Sequence, residues 1–585
     1  MSSGSFSTDA PASISTPPKM SHPESEKLAE ENPKDEVQDV PQPTRSKLTT
    51  GLIMFALCLA VFLAALDSVI ITTALPTIAK ELSASDTGFA WIGSSYLLAN
   101  AASSPVWGKV SDIFGRKSIL IIANIVFLAG SLIAALSYNL PMLIGGRVVQ
   151  GLGGGGLITL VEIAVGDMFS QRERGLYFGI VGCVWAIASA IGPVVGGAFA
   201  EKVTWRWCFW INLPFDGLSL IITIIWLNVH NPRTPLMKGI AAIDWMGAVL
   251  IVGATLMFLF GLQFGGQTAP WNSAMVICLI VFGLLIFVTF GIYEWRFARY
   301  PIMPRLMFNS VSTVACLVVV FLHGLGFIAL PFFIPVYFQA VLGAGPEESG
   351  VWTLALALAL VFVGMGVGVF IQKTGRYLEV IWVSMPILTM SLGLFISFGV
   401  DINWPKIIIF QILVAVGVGA NMQTLIICIQ ALVPQEHVAV ATSTLAFIRQ
   451  LALAISVVIG SVIFQGIIAS HEDILAGIGL PTELAAQIAS GSSISATDMI
   501  QSLTPDQVAT YKWVVADALS KMWAFYCAVS GLGFIVSFGI RRKELLTTHK
   551  ETEVGLEAEE AKRLKELSDR KPTATAVDGQ EVKEA

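Results

Sequence analysis

The sequence predicts an all-α polytopic membrane protein: two six-helix bundles with two linker helices inserted between them, about fourteen transmembrane helices, both termini cytosolic. Three observations carry this. The 585 residues are 55% hydrophobic and only 13% charged, against about 25% charged in soluble domains. Apolar runs long enough to cross a bilayer recur along the whole chain. A loop pattern also repeats, near Gly108 and again near Gly368.

Many of the charges sit in two tails, before Lys47 and after Arg541. The net charge of −6 therefore reflects the tails and points to no nucleic-acid partner. Residues 1–47, rich in Ser, Pro and Glu and without an apolar core segment, read as a disordered cytosolic tail and not as a cleaved signal. Residues 542–585 read as a second cytosolic tail; "KETEVGLEAEEAKRLKELSDRK" is expected to be solvated, with a charged surface helix as the alternative.

The apolar runs fall at 49–75, 88–108, 118–138, 141–165, 175–200, 207–229, 243–264, 274–295, 311–341, 349–372, 378–400, 405–432, 438–468 and 522–540. Lys109, Arg116 and Lys117, Arg172 and Arg174, Arg233 and Lys238, Arg296, Arg299 and Arg305, Lys373 and Arg376, and Arg541 to Lys543 lie in alternate loops, which places those loops in the cytosol. The runs divide the chain into a six-helix bundle at 48–229, two linker helices at 230–300, and a second bundle at 301–541 whose long extracellular loop spans 470–521.

"GKVSDIFGRK" begins at Gly108 and "GVFIQKTGRY" at Gly368; in each, Gly-Arg follows seven residues after the first Gly. Both loops follow the second helix of a six-helix set, as a parallel repeat requires. Gln372 stands in the second copy where Asp112 stands in the first.

Two charges stand alone in apolar surroundings. Asp67 interrupts "FLAALDSVIITTALPTI", at a cost of about 2.5–3.5 kcal/mol near a bilayer centre. Arg147 lies six residues past Pro141, roughly 9 Å below the outer edge, and Asp67 sits roughly 12 Å deep near the end of the first helix. At similar depth in one bundle the two can pair, the arginine favouring the charged carboxylate. A movement that parts them would let Asp67 take a proton. The plain alternative is a static buried pair.

Other ionisable residues also fall within spans. Glu162 and Asp167 lie near the inner end of the fourth helix and fit a cytosolic network. Asp216 and Arg449 fit a central cavity, and Asp244 a helix N-terminus. His323 fits a packed histidine. Trp185, Phe332, Phe333 and Phe338 are candidates to line a cavity for flat lipophiles. The seven cysteines, none in a CxxC, read as buried packing residues. There is no HExxH, GxSxG or phosphate-binding P-loop, so an enzyme, a metal site and ATP as fuel are not expected, and no cofactor is implied.

"GKVSDIFGRKS", "RVVQGLGGGGL" from Arg147, "AIGPVVGGAFA" from Ala190, "LDSVIITTALPTI" and "WRWCFWINLP" resemble, in order, signatures of the major facilitator superfamily and its fourteen-helix drug/proton antiporters. "INLPFDGLSL" and "GGQTAPWNS" are similar to fungal toxin and multidrug efflux members. The resemblance implies a proton-coupled exporter of lipophilic small molecules, toxins, drugs or secondary metabolites, working by alternating access. It implies Asp67 and Arg147 in proton coupling and Gly108, Asp112, Gly115, Arg116 and Lys117 as a cytosolic gate loop. It also implies an antiporter helix bend at Gly192, Pro193, Gly196 and Gly197. The expected partners are a small lipophilic substrate, protons and membrane lipid, with the protein a monomer in the plasma membrane. A vacuolar basic amino acid transporter and a non-transporting membrane sensor are the alternatives.

Overall fold

In the computed structural model, residues 46–82, 86–227, 232, 234–266, 269–479, 504–548 and 554–570 are described. Most of the expected N-terminal tail and the middle of the loop 470–521 lie outside them. Leu48–Ala585 clusters as one compact unit.

The chain runs through long helices: α1 Lys47–Glu81, α2 Asp86–Phe114, α3 Arg116–Ala135, α4 Leu140–Met168, α5 Arg174–Lys202 and α6 Asn212–Trp226. Then come α7 Trp245–Phe264 and α8 Ala274–Arg296, followed by α9 Val311–Val336, α10 Leu354–Thr374, α11 Tyr377–Phe395, α12 Trp404–Leu432, α13 Val438–Ser470 and α14 Pro505–Ser537. A last helix, α15 Leu556–Arg570, follows. Among the described residues, thirteen helices are long and apolar enough to cross a membrane. The long helix that falls short is α2, whose buried face carries Ser95, Asn100, Ser103, Ser104, Lys109 and Asp112. It lies against α4 and α13, so its polar side meets protein and not lipid.

Capping residues set several helix starts. Asn139 accepts a hydrogen bond from Met142 N ahead of α4, and Asn403 from Lys406 N ahead of α12. Asp244 accepts from Gly247 N at the start of α7, as the sequence suggests. Thr504 and Gln507 form a capping box with Pro505 in the first turn of α14. That box corrects the expected start of this span at residue 522: the helix begins at Pro505, and the loop before it is shorter.

Packing follows the chain order within each half. α3 and α4 form a tight hairpin, and α2 lies against α4. In the second half α11 packs on α12 and α14, and α9 on α13 and α14. α7 and α8 pack on each other, with α7 touching α2 and α13. Gly115 (φ 89°, ψ 150°) and Gly375 (φ 71°, ψ 9°) both take a positive φ between helices, so the repeated Gly-Arg marks a glycine-dependent link in each half, though the two turns differ. The glycine run of α4 permits close helix approach. A Cβ on Gly151 would lie 2.3 Å from Tyr96 O, and one on Gly153 2.4 Å from Phe127 N.

Two expectations are corrected here. Cys278 is exposed on α8, while the other cysteines are buried or half-buried. The C-terminal tail is not simply solvated: α15 folds and docks, as described below.

Candidate functional site

Asp67 of α1 is fully buried and every face of its charge is met. Oδ2 pairs with Arg147 Nη1 of α4. Oδ1 accepts from Gln150 Nε2 at 2.8 Å and from Asn212 Nδ2 of α6 at 3.1 Å. Gln150 also donates to Ser131 Oγ of α3 at 2.8 Å, and Arg147 donates to Gln150 Oε1 at 3.1 Å and Ile92 O at 3.3 Å. The guanidinium lies 4.5 Å from the centre of the Tyr96 ring. Helices α1, α2, α3, α4 and α6 thus converge on one ion pair. The lone Asp and Arg are legible in the sequence; Ser131, Gln150, Asn212 and Tyr96 are not, because uncharged polar residues in a span do not stand out. Gln150 lies one turn past Arg147, the signal that was available.

The residues expected to form a gate loop take part in a second network. Arg116 pairs with Asp112 at 2.6 Å and Asp167 at 2.7 Å, and donates to Ser111 Oγ at 2.7 Å. Lys117 donates to Ile224 O at the end of α6 at 2.7 Å. A Cβ on Gly108 would lie 2.3 Å from Ser443 Oγ of α13, so the loop begins against the other half. Lys109 pairs with Glu559 of α15. Gly555 N donates to Asp112 O at 2.8 Å, and Leu556 packs with Ile113, Ala242 and Tyr300.

Contacts between the halves gather at this same end. Arg174 of α5 donates to Gln430 Oε1 at 3.1 Å and Gln435 Oε1 at 3.0 Å. Arg172 donates to Gln372 O at 3.0 Å and Lys373 O at 2.6 Å. Gln450 donates to Asn100 Oδ1 at 3.1 Å. Further in, Arg449 of α13 pairs with Glu162 of α4 at 2.7 Å. Glu162 thus joins a pair across the halves, and Asp167 is the residue that joins the loop network.

Glu162 and Arg449 line a cavity of about 40 Å³, together with Trp185, Phe327, Gln423 and Gln450. That is room for roughly one to three waters, against about 300–1,000 Å³ for a drug-sized ligand. Trp185 lines it as expected. Phe332 is exposed and Phe333 and Phe338 are packed in the core, so these three do not. Asp216 is also absent from the lining: it is fully buried, and its carboxylate oxygens have no hydrogen-bond partner among the described residues. His323 is buried with Nε2 3.2 Å from Val418 O.

Gly192, Pro193, Gly196 and Gly197 all fall within α5, which continues through them. A Cβ on Gly192 would lie 2.5 Å from Val69 Cγ2 of α1, and one on Gly196 only 1.9 Å from Ile70 O. The segment seats α5 on α1, within two to three residues of Asp67.

Two helical halves joined at one end around buried charges describe a multi-pass membrane transporter. The profile of the Major Facilitator Superfamily matches residues 57–457. The MFS-type transporter ppz2 of Metarhizium majus is 47% identical across 90% of this chain and 91% of its own length. Efflux pump dotC of Dothistroma septosporum is 46% identical across 87% of each chain. The human organic anion transporter MFSD10 shares the fold at 14% identity and a TM-score of 0.56, covering 83% of this chain and 99% of its own. The chain belongs to the major facilitator superfamily.

Proposed function

We propose that this transporter exports lipophilic small molecules from the cytosol in exchange for protons, by alternating access. The observation that carries the reading is the buried Asp67–Arg147 pair, a titratable charge held dry and fully partnered at the junction of five helices. Several relatives are named efflux pumps, dotC and FUS6 among them, which supports export. In this reading the basic loops and both tails face the cytosol, the bundles span 48–229 and 301–541, and 230–300 is the linker pair. The end closed by Arg172, Arg174 and the gate loop is then the cytosolic end. A proton from outside binds Asp67, the network rearranges, and the closed end opens to load cargo.

The test uses full-length protein in proteoliposomes with an imposed pH gradient. Proton movement is followed on adding lipophilic dyes and toxins, or lysine and arginine, with wild type and Asp67→Asn. The expected result is proton flux triggered by lipophiles and abolished in Asp67→Asn. Flux triggered only by lysine or arginine, or flux unchanged in the variant, overturns the reading.

A further inference from the structure

The segment that leaves α14 crosses from one half of the molecule to the other. Arg541 N donates to Ser312 Oγ of α9 at 3.0 Å, Arg542 pairs with Glu379 of α11 at 3.2 Å, and Lys543 N donates to Tyr377 Oη of α11 at 3.0 Å. Three residues after Lys543 the partners belong to the first half. Leu546 N donates to Gln171 Oε1 at 3.2 Å, and Arg172 N, in the same loop between α4 and α5, donates to Leu546 O at 3.3 Å. Tyr377 and Gln171 are both buried, so each anchor stands on a fixed side chain. Leu545, between them, packs against the main core. The Arg172 side chain meanwhile holds Gln372 O and Lys373 O beyond α5, so the crossing lies on the seam that closes this end.

Reach decides what the crossing does. Residues 541–546 form neither helix nor turn, so no coil can unwind to lengthen them. From Lys543 to Leu546 the chain spans at most about 11 Å when fully extended. The halves can part here only while that reach lasts, and wider opening breaks an anchor. α15 follows, fixed to α2 by the Lys109–Glu559 pair and by Gly555 N donating to Asp112 O at 2.8 Å. From Leu546 to Gly555 the chain reaches about 32 Å, so α15 can stay docked while the crossing lets go. Docked, it keeps a released Leu546 close to Gln171, and a tethered group rebinds at high effective concentration.

We propose that residues 543–546 are a built-in brake: a short strap that holds the gate-loop end closed and must detach before that end opens wide, with α15 as the anchor that returns it. The proposal rests on the alternating-access reading above and adds what restrains the opening. The strap is held at its first-half end by two hydrogen bonds at an exposed residue, Leu546. Their grip changes the closed-to-open ratio about tenfold, which slows opening without forbidding it.

Pulsed electron double resonance on full-length protein in bilayer nanodiscs tests this. The seven cysteines are replaced by serine or alanine, and spin labels are placed at Ile225→Cys on α6 and Lys373→Cys on α10, exposed positions at this end of the two halves. Eight Gly-Ser residues inserted between Glu544 and Leu545 keep every anchoring residue and remove the limit on reach. The open-to-closed ratio should then rise about tenfold. The same eight residues inserted between Thr548 and His549 leave the crossing intact and should change the ratio less than about twofold. If the first insertion does not fold, Tyr377→Phe serves: it removes the acceptor of Lys543 N, and the ratio should rise about fivefold. An unchanged ratio in the first insertion or in Tyr377→Phe, or an equal rise from both insertions, overturns the strap. An end that stays closed in every protein at every pH counts against alternating access as well. Protein that passes the proton-flux assay while its open population ignores the longer strap overturns the strap alone.

Discussion

Lys109, at the end of α2, and Glu559, in the C-terminal helix, form an ion pair across the gate-loop end in which both side chains are more than nine-tenths buried (7% and 6% exposed). Lys562 pairs with the same carboxylate at 2.7 Å, and Glu560 meets Tyr300 and Arg299 beside it. The last helix is therefore fastened to the loop that the sequence marks as a gate.

Docking of α15 should fail on acidification. Burial pushes the Glu559 carboxyl up, but Lys109 and Lys562 together outweigh it and hold it at about 2. A depressed folded value stabilises the docked state fully above the free value of 4.5, and the contribution disappears as pH falls from there toward about 2. Mobility of a spin label on α15, read at each pH without return to neutral, should show constant docking down to about pH 5 and loss below it. Glu559→Gln should undock the tail at neutral pH, since removing one partner of a buried pair costs about 3–5 kcal/mol. A tail that stays docked in Glu559→Gln would show that Leu556 and its apolar neighbours hold it alone.

The two halves of the Asp67–Arg147 pair should not be equivalent under mutation. Each single substitution strands a buried charge, at a cost of about 3–5 kcal/mol. In Arg147→Gln the stranded acid can shed its charge by taking a proton; in Asp67→Asn the stranded guanidinium cannot lose one. Thermal unfolding should therefore show both variants destabilised near neutral pH and only Arg147→Gln recovering on acidification. Asp67→Asn/Arg147→Gln together should be more stable than either alone. Equal pH profiles for the single variants would refute this asymmetry.

Much of the fold was legible because apolar runs and alternating basic loops are dictated by lipid. The rest was hidden for identifiable reasons. Residues 505–521 of α14 carry Asp506, Lys512, Asp517 and Lys521, which dilute the apolar signal, though Thr504-Pro505-Asp506-Gln507 is a helix start in plain form. α15 is charged along its length, and the groups that fasten its acids to the rest of the protein, Lys109, Tyr300 and Arg299, lie more than 250 positions earlier in the chain. Asp67 and Arg147 were legible as lone charges. That Glu162 would meet Arg449, 287 positions away, depends on how the halves face each other, which no local pattern records.

Gly196 and Gly197 are adjacent, yet alanine should be tolerated at only one. A Cβ at Gly196 would sit 1.9 Å from Ile70 O, a backbone atom that moves only if α5 leaves α1. At Gly197 the nearest atom is 3.9 Å away, an ordinary contact. Gly196→Ala should cost about 1–3 kcal/mol by overpacking and reduce transport, while Gly197→Ala should match wild type in thermal unfolding and flux. Equal effects would mean that α5 and α1 are not seated as described.

Closure of the gate-loop end can be trapped covalently. Cys183 of α5 donates to Val361 O of α10 at 3.4 Å, and one turn away the two backbones come close: a Cβ on Gly179 would lie 3.2 Å from Gly364 O. With the other cysteines replaced by serine or alanine, Val361→Cys places a second thiol beside Cys183 on the facing helix. Oxidation should join them without distorting the closed arrangement. If transport requires α5 and α10 to separate at this end, the cross-linked protein should lose at least about nine-tenths of its flux and regain it on reduction. The reduced double-thiol protein controls for the substitutions themselves. Full transport by protein shown to be cross-linked would mean that these helices stay together through the cycle, and the opening would then have to lie between α2 and α13 instead.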